Sequence, residues 1–247
     1  MDRLIWTAMT GAKSLLERQA VVANNLANIT TNGFRAETNA FSAVPVNGPG
    51  LATRQFVLES TPGVNFAPGP LQETGRALDV AVQGSGWIAV QASDGSEAYT
   101  RAGSFQLSAE GTLQTRTGQP VLSDAGPITV PPDTTISIAN DGTISSVPTQ
   151  PPLKSVSVVG RIKLVNPPEQ DLTKGPDGLF RVKGGGSAEV SDNVSLLGGS
   201  VEGSNVNAAE MMVSMISLAR QFEMQMKMLQ SAEANSQQAS QLLTVNA

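Results

Sequence analysis

From Ser204 onward the chain reads SNVNAAEMMVSMISLARQFEMQMKMLQSAEANSQQASQLLTVNA, residues 204–247, without one glycine or proline. Mainly apolar or small side chains, with Gln225 among them, recur at Ala208, Met211, Met215, Leu218, Phe222, Gln225, Leu229, Ala232, Ser236, Ala239 and Leu243. The spacing alternates three and four, which places them along one seam of a helix. Glu223 and Lys227, four apart with the acid first, add the favourable order of charges. Ser204 or Asn205 is the expected cap. A matching stripe opens the chain: Ile5, Ala8, Ala12, Leu15, Gln19, Val22 and Leu26. This first helix is expected to fade near Asn28, because Thr30-Thr31-Asn32-Gly33 is turn chemistry. At 1.5 Å per residue the two helices would be roughly 40 and 58 Å long. The pattern leaves two readings open. The helices form a hairpin within one chain, or their seams are shared with other subunits.

Between the stripes the punctuation changes. All 15 prolines lie from Pro45 to Pro176, whereas the eight methionines all lie in the two end segments. Short apolar runs such as Val80-Ala81-Val82, Trp87-Ile88-Ala89-Val90 and Ile136-Ser137-Ile138 alternate with acid-glycine pairs at Asp94-Gly95, Glu110-Gly111, Asp141-Gly142 and Asp177-Gly178. Those pairs are hairpin signals, so an all-β middle of sandwich or barrel type is expected. Ala43 to Arg76 holds five prolines and little periodicity, which reads as an extended connector. The expected organisation is residues 1–34 as an N-terminal helix, 35–76 as the connector, 77–200 as the β-domain and 201–247 as the C-terminal helix.

Composition narrows the chemistry. The 247 residues contain no His and no Cys, which excludes histidine triads, thiolate nucleophiles, disulfides and the usual zinc sites. Sixteen basic against 21 acidic residues give a net charge of −5, a poor match to phosphate backbones, so no nucleic acid is expected. No apolar run reaches the ~20 residues of a membrane span, so no membrane insertion is expected. The opening residues lack the basic region of a cleaved signal. Gly84-Ser85-Gly86-Trp87-Ile88-Ala89 matches a dinucleotide-binding pattern, but a strand follows where that motif needs a helix N-terminus. It reads as a tight turn. Glu169 and Asp171 have no acidic partner that sequence can bring to catalytic distance. No catalytic residue, metal site or cofactor is expected.

Three stretches carry a resemblance. Ala23-Asn24-Asn25-Leu26-Ala27-Asn28-Ile29-Thr30-Thr31-Asn32-Gly33-Phe34-Arg35 resembles the N-terminal motif of the bacterial flagellar rod and hook family. Leu78 to Leu122, with Asp79-Val80-Ala81-Val82-Gln83-Gly84-Ser85-Gly86-Trp87 and Tyr99-Thr100-Arg101-Ala102-Gly103-Ser104-Phe105, is similar to its shared β-domain motif. Gly203-Ser204-Asn205-Val206-Asn207-Ala208-Ala209-Glu210-Met211-Met212 resembles its C-terminal helical motif. The three stretches occur in family order. The opening Met1-Asp2-Arg3-Leu4-Ile5 and the modest length look most like the proximal-rod branch; the distal-rod branch or a hook-type axial subunit is the alternative.

The resemblance implies a structural subunit of the basal-body rod, not an enzyme. It implies export through the flagellar type III apparatus without a cleaved signal, and polymerisation across the periplasm into a hollow drive shaft. Implied partners are other rod subunits, copies of the chain itself and the export apparatus. The implied fold class is α+β: long terminal helices, coiled-coil-like and meeting between subunits, flank a mainly-β middle domain. The expected assembly interface is Ile5, Leu15, Val22, Asn24, Asn25, Leu26, Asn28, Gly33, Phe34, Asn205, Asn207, Met211, Met215, Leu218, Phe222 and Leu229. A less favoured reading is a secreted β-sandwich enzyme or carbohydrate-binding protein.

Overall fold

A computed structural model describes residues 2–45, 55–59, 63–148 and 156–245. Two α-helices stand at the ends of the described chain, α1 (Asp2–Ala27) and α2 (Ala208–Val245), with short strands between them. The chain divides into two compact units. One comprises residues 1–28, 36–65 and 206–247; the other comprises 29–35 and 66–205.

The first unit is built on the helix pair. Gln225 Nε2 of α2 donates to the Ala8 carbonyl of α1 at 3.0 Å. Nearer the other end of α1, Arg18 and Val22 share a groove with Met211, Ser214 and Leu218. Residue numbers rise along α1 as they fall along α2, so the helices are antiparallel. Ala8 and Leu218 are buried, and Ala12, Leu15, Gln19, Val22, Leu26, Met211, Met215, Phe222, Gln225 and Leu229 are half-buried. Their neighbours off the stripe are mostly exposed, so the seam read from the spacing is the covered face. The side chains of Ile5, Ser236, Ala239 and Leu243 lie outside the described residues.

This corrects the expected fold class. The described residues hold two helices around a mainly-β middle, and each helix finds its partner in its own chain; a long coiled coil between subunits is not part of this architecture. The physical reason lies in the stripes. Two complementary apolar seams on one chain meet intramolecularly at an effective concentration that no dilute neighbour matches. Also in this unit, strand Glu37–Thr38 pairs antiparallel with Gly63–Val64, and Phe41–Pro45 with Gln55–Glu59.

Among the described residues, the second unit is all β apart from a single 3₁₀ turn at Glu169–Asp171. Its largest sheet is antiparallel, in the order Leu164–Val165, Trp87–Gln91, Glu97–Thr100, Phe180–Val182, Leu172–Lys174. A three-stranded sheet joins Thr134–Ile138, Thr143–Pro148 and Ser157–Arg161. Four two-stranded ladders complete the described unit. The architecture is thus a set of short ladders around one core in place of two broad facing sheets. Residues 80–82 and 87–90 are buried on both faces, which explains why they read as continuous apolar runs instead of alternating ones. Val80, Ile88, Val90, Phe105, Leu113, Ile144, Leu164 and Leu196 form the centre of that core. Gly84-Ser85-Gly86 is a turn between two strands, with no helix after it.

Candidate functional site

At the end of α1 three asparagines divide distinct tasks. Asn25 is buried, and its side chain treats Glu37 as a strand neighbour would. Its Nδ2 donates to the Glu37 carbonyl and its Oδ1 accepts from the Glu37 N–H, both at 2.8 Å. Asn24 Nδ2 donates to the Glu37 carboxylate at 2.8 Å. Asn28 Nδ2 donates to the Asn24 carbonyl and to Asn24 Oδ1, each at 2.9 Å, which caps the last turn. The start of α2 is capped by Asn207, whose Oδ1 accepts from the N–H groups of Ala209 and Glu210 at 3.1 and 3.4 Å. The cap therefore falls two residues beyond Asn205. Asn205 is occupied in the β unit: its N–H donates to Phe34 O at 3.3 Å and its Nδ2 to Ala67 O at 2.8 Å.

The helix pair leaves much apolar surface uncovered. Trp6 is 61% exposed, Met9 50% and Leu16 51% on α1; Val213 is 67% exposed and Met224 61% on α2, with Met212, Ile216, Met226 and Met228 also exposed. Scattered single exposures are ordinary, but a collection of this size on one helix pair marks an interaction surface.

Within the β unit, residues 29–35, 101 and 202 converge. Gly33 adopts φ +69° and is buried. A Cβ there would lie 2.6 Å from Arg101 O and closer still to the Arg101 carbonyl carbon and the Ala102 nitrogen. Only glycine accepts both the left-handed backbone and this approach. Its N–H donates to the Glu202 carbonyl at 2.8 Å. Phe34 is covered by Lys174, whose Nζ stands 4.0 Å from the ring centroid. Next to it, Arg35 Nη1 approaches Glu202 Oε1 at 2.6 Å, a charge contact without hydrogen-bond alignment. Arg101 Nη1 donates to Glu202 Oε2 at 3.1 Å, its Nη2 donates to Gly84 O at 2.7 Å, and its guanidinium lies 5.3 Å from the Trp87 ring centroid. The Gly69 N–H donates to Glu202 Oε1 at 2.9 Å. Arg35, Arg101 and Glu202 are all buried. Burial pushes the Arg101 guanidinium down from the ordinary arginine value, and the Glu202 carboxylate opposes that shift.

The Arg35–Glu202–Arg101 cluster floors a cavity of about 760 Å³, walled by Phe66, Pro68, Trp87, Pro167 and Pro168. In the sequence, Arg35 and Arg101 stand inside motifs that give them no role, Trp87 follows glycines that let it pack, and Glu202 lies just ahead of the third motif. The available signal was the charge itself: Ser200-Val201-Glu202-Gly203 places one acid in an otherwise apolar and small strand. The sixteen residues expected at an assembly interface fall into separate groups. Leu15, Val22, Leu26, Met211, Met215, Leu218, Phe222 and Leu229 line the helix seam. Asn24, Asn25 and Asn28 cluster at the α1 end, and Asn207 caps α2. Gly33, Phe34 and Asn205 belong to the β unit. The Ile5 side chain is outside the described residues.

Comparison with known proteins gives consistent matches. The family model for the flagella basal body rod protein matches residues 5–35. The model for the flagellar hook protein FlgE/F/G D1 domain matches 81–146, and that for the flagellar basal body rod FlgEFG protein C-terminal region matches 197–242. The flagellar basal-body rod proteins FlgF of Salmonella typhimurium and of Escherichia coli are each 47% identical over 252 residues, covering 100% of this chain and 100% of their own length. The flagellar basal-body rod protein FlgG of Buchnera aphidicola subsp. Acyrthosiphon pisum is 33% identical over 96% of this chain and 98% of its own.

Proposed function

The chain belongs to the flagellar basal-body rod family of hook and rod proteins, and from that premise we propose that it is a structural subunit of the proximal rod. The observation that carries the reading is the 47% identity, end to end over both chains, with two basal-body rod proteins named FlgF. On this reading the chain assembles with other rod subunits and with copies of itself in the basal body, reaches that site through the flagellar export apparatus without a cleaved signal, and contributes to a hollow shaft. It has no catalytic duty.

The exposed side chains of the helix pair support the assembly role. Trp6, Met9 and Leu16 on α1, and Val213, Ile216 and Met224 on α2, are poor surface for a permanent monomer. We assign the seam residues, Leu218 and Phe222 among them, to holding the two helices together, and the outward residues to contacts with neighbours. Heterologous contacts of one repeated surface generate helical filaments. The test is fractionation of purified basal bodies from cells that carry a tagged chain. The chain should co-purify with the rod, retain its first residues on N-terminal sequencing, and disappear from it when Trp6 and Met9 are both changed to Ser. Its absence from intact basal bodies would overturn the reading.

A further inference from the structure

We propose that the cavity over Arg35, Arg101 and Glu202 receives the Glu189-Val190-Ser191-Asp192 segment of a second copy of this chain; the proposal rests on the rod-subunit reading. The first argument is charge. Two buried guanidinium groups share one carboxylate, so the floor carries an uncompensated positive charge. Arg35 Nε and Arg101 Nε have no hydrogen-bond partner among the described residues and are enclosed, so a ligand in the cavity meets their charge through space and not by a hydrogen bond to these atoms. Buried charge without full pairing is expensive, and an arriving carboxylate offsets it. The carboxylate nearest the mouth in the same chain is Glu169, which is exposed at the rim and acts on Arg101 only through space.

The second argument is the wall. Phe66, Trp87, Pro68, Pro167 and Pro168 offer rigid apolar surface, and the Trp87 ring is already fixed by Phe180 at 4.5 Å and Phe66 at 6.1 Å. A ligand that satisfies floor and wall together carries a carboxylate beside an apolar side chain. Outside the helices, of the large apolar side chains described as exposed, Val190 alone has an acid as its immediate neighbour, and Asp192 follows two residues on. Val190 is 43% exposed. Val190 bridges Val165 at the edge of the five-stranded sheet and Ser191 N–H is bonded to Leu164 O, which leaves Glu189 and Val190 facing outward; Asp192 opens the following turn and is paired with Arg161 at 2.9 Å, so Glu189 is the carboxylate the segment offers first. A segment of one copy entering a cavity of the next is a heterologous contact, the kind that propagates. A single contact of this size is weak between free molecules and gains its strength by repetition along an assembly.

The experiment uses the full chain carrying Trp6→Phe, so that Trp87 is the sole indole, and titrates it with the acetylated and amidated peptide of residues 187–193. The expected result is a saturable change in Trp87 fluorescence, at least about tenfold weaker for the peptide with E189Q and D192N, absent for a scrambled peptide of the same composition, and strengthened a few-fold by Glu169→Gln in the protein. Ser85→Phe, which plugs the mouth from an exposed turn and adds no indole, should abolish the change at an unaltered melting temperature. No saturation up to several millimolar, equal binding of the amide or scrambled peptide, or undiminished binding by folded Ser85→Phe protein each overturns the inference. If the peptide fails while the chain is found in basal bodies, the inference falls and the rod reading stands. If the chain is absent from basal bodies, the rod reading falls whatever the peptide does.

Discussion

Replacing Gly33 tests the central geometry of the β unit. The φ of +69° costs an L-residue about 1–2 kcal/mol. The added Cβ cannot occupy its place, 2.6 Å from Arg101 O, unless packed backbone moves, which costs a further ~1–3 kcal/mol. Movement breaks the Gly33 N–H to Glu202 carbonyl bond, worth ~1 kcal/mol. Gly33→Val should therefore destabilise the β unit by roughly 3–6 kcal/mol, which lowers its melting temperature by on the order of 10 °C or more for a unit of this size. Gly84→Ala is the control. Gly84 also has positive φ, +72°, but its Cβ would meet nothing within 4 Å. It should lose only the backbone term, about 1 kcal/mol. The assay is thermal unfolding followed by Trp87 fluorescence in a Trp6→Phe background. If Gly33→Val melts within a degree of the Gly84→Ala control, residues 29–35 are not held against Arg101 as described, and the reasoning fails.

Three further outcomes follow from the same contacts. Leu218→Asp places a carboxylate at a position 6% exposed in the helix seam; it should cost several kcal/mol in the helical unit, lower helicity by circular dichroism, and remove the chain from basal bodies, while Trp87 fluorescence still reports a folded β unit. Glu202→Gln leaves two buried guanidinium groups without their counter-charge and should cost about 3–5 kcal/mol, a loss read as an earlier urea midpoint with an unchanged slope. Tyr99, the chain's one tyrosine, donates to Glu97 Oε1 at 2.9 Å and accepts from the Ala188 N–H; burial, the largest cause, pushes its phenol up to about 12. Absorbance of the phenolate should titrate near 12, and because the folded value is raised, the stability it contributes is present below pH 10 and lost as the pH climbs from 10 through 12. A midpoint near 10 in the folded protein would show that Tyr99 is not enclosed.

The helices were legible because heptad spacing is a local property. Ala208 to Leu229 could be assigned to one face from the sequence alone, and that face is the covered one. The partner of the face was not legible, since an apolar stripe satisfies any complementary stripe equally and carries no address. One polar member of the seam, Gln225, held the missing information: its amide reaches the Ala8 carbonyl of the same chain. The helix caps show the same limit. Ser204, Asn205 and Asn207 are all competent caps by chemistry. Tertiary bonds from Asn205 to Phe34 and Ala67 decide against it, and leave Asn207 to serve α2.

The ion cluster lay further out of reach. Arg101 and Glu202 stand 101 residues apart, and neither belongs to a pattern with a period. Yet their joining explains why the segments that resemble family motifs hold charges inside apolar surroundings. Residues 33–35 from the first motif, Arg101 from the second and Glu202, just ahead of the third, meet at one carboxylate. Glu202 uses its backbone carbonyl for Gly33 and its side chain for Arg35, Arg101 and Gly69. An apolar replacement of the whole cluster could be as stable, because buried ion pairs recover little beyond their own desolvation. What such a replacement would lose is discrimination: Leu or Met at these positions would tolerate sliding of residues 29–35 along the β unit, whereas two guanidinium groups accept one register against a single carboxylate. A Glu202→Leu, Arg35→Leu, Arg101→Met triple variant should therefore retain much of the melting temperature while broadening the amide resonances of residues 29–35. Sharp, single resonances there would show that packing around Gly33 alone sets the register.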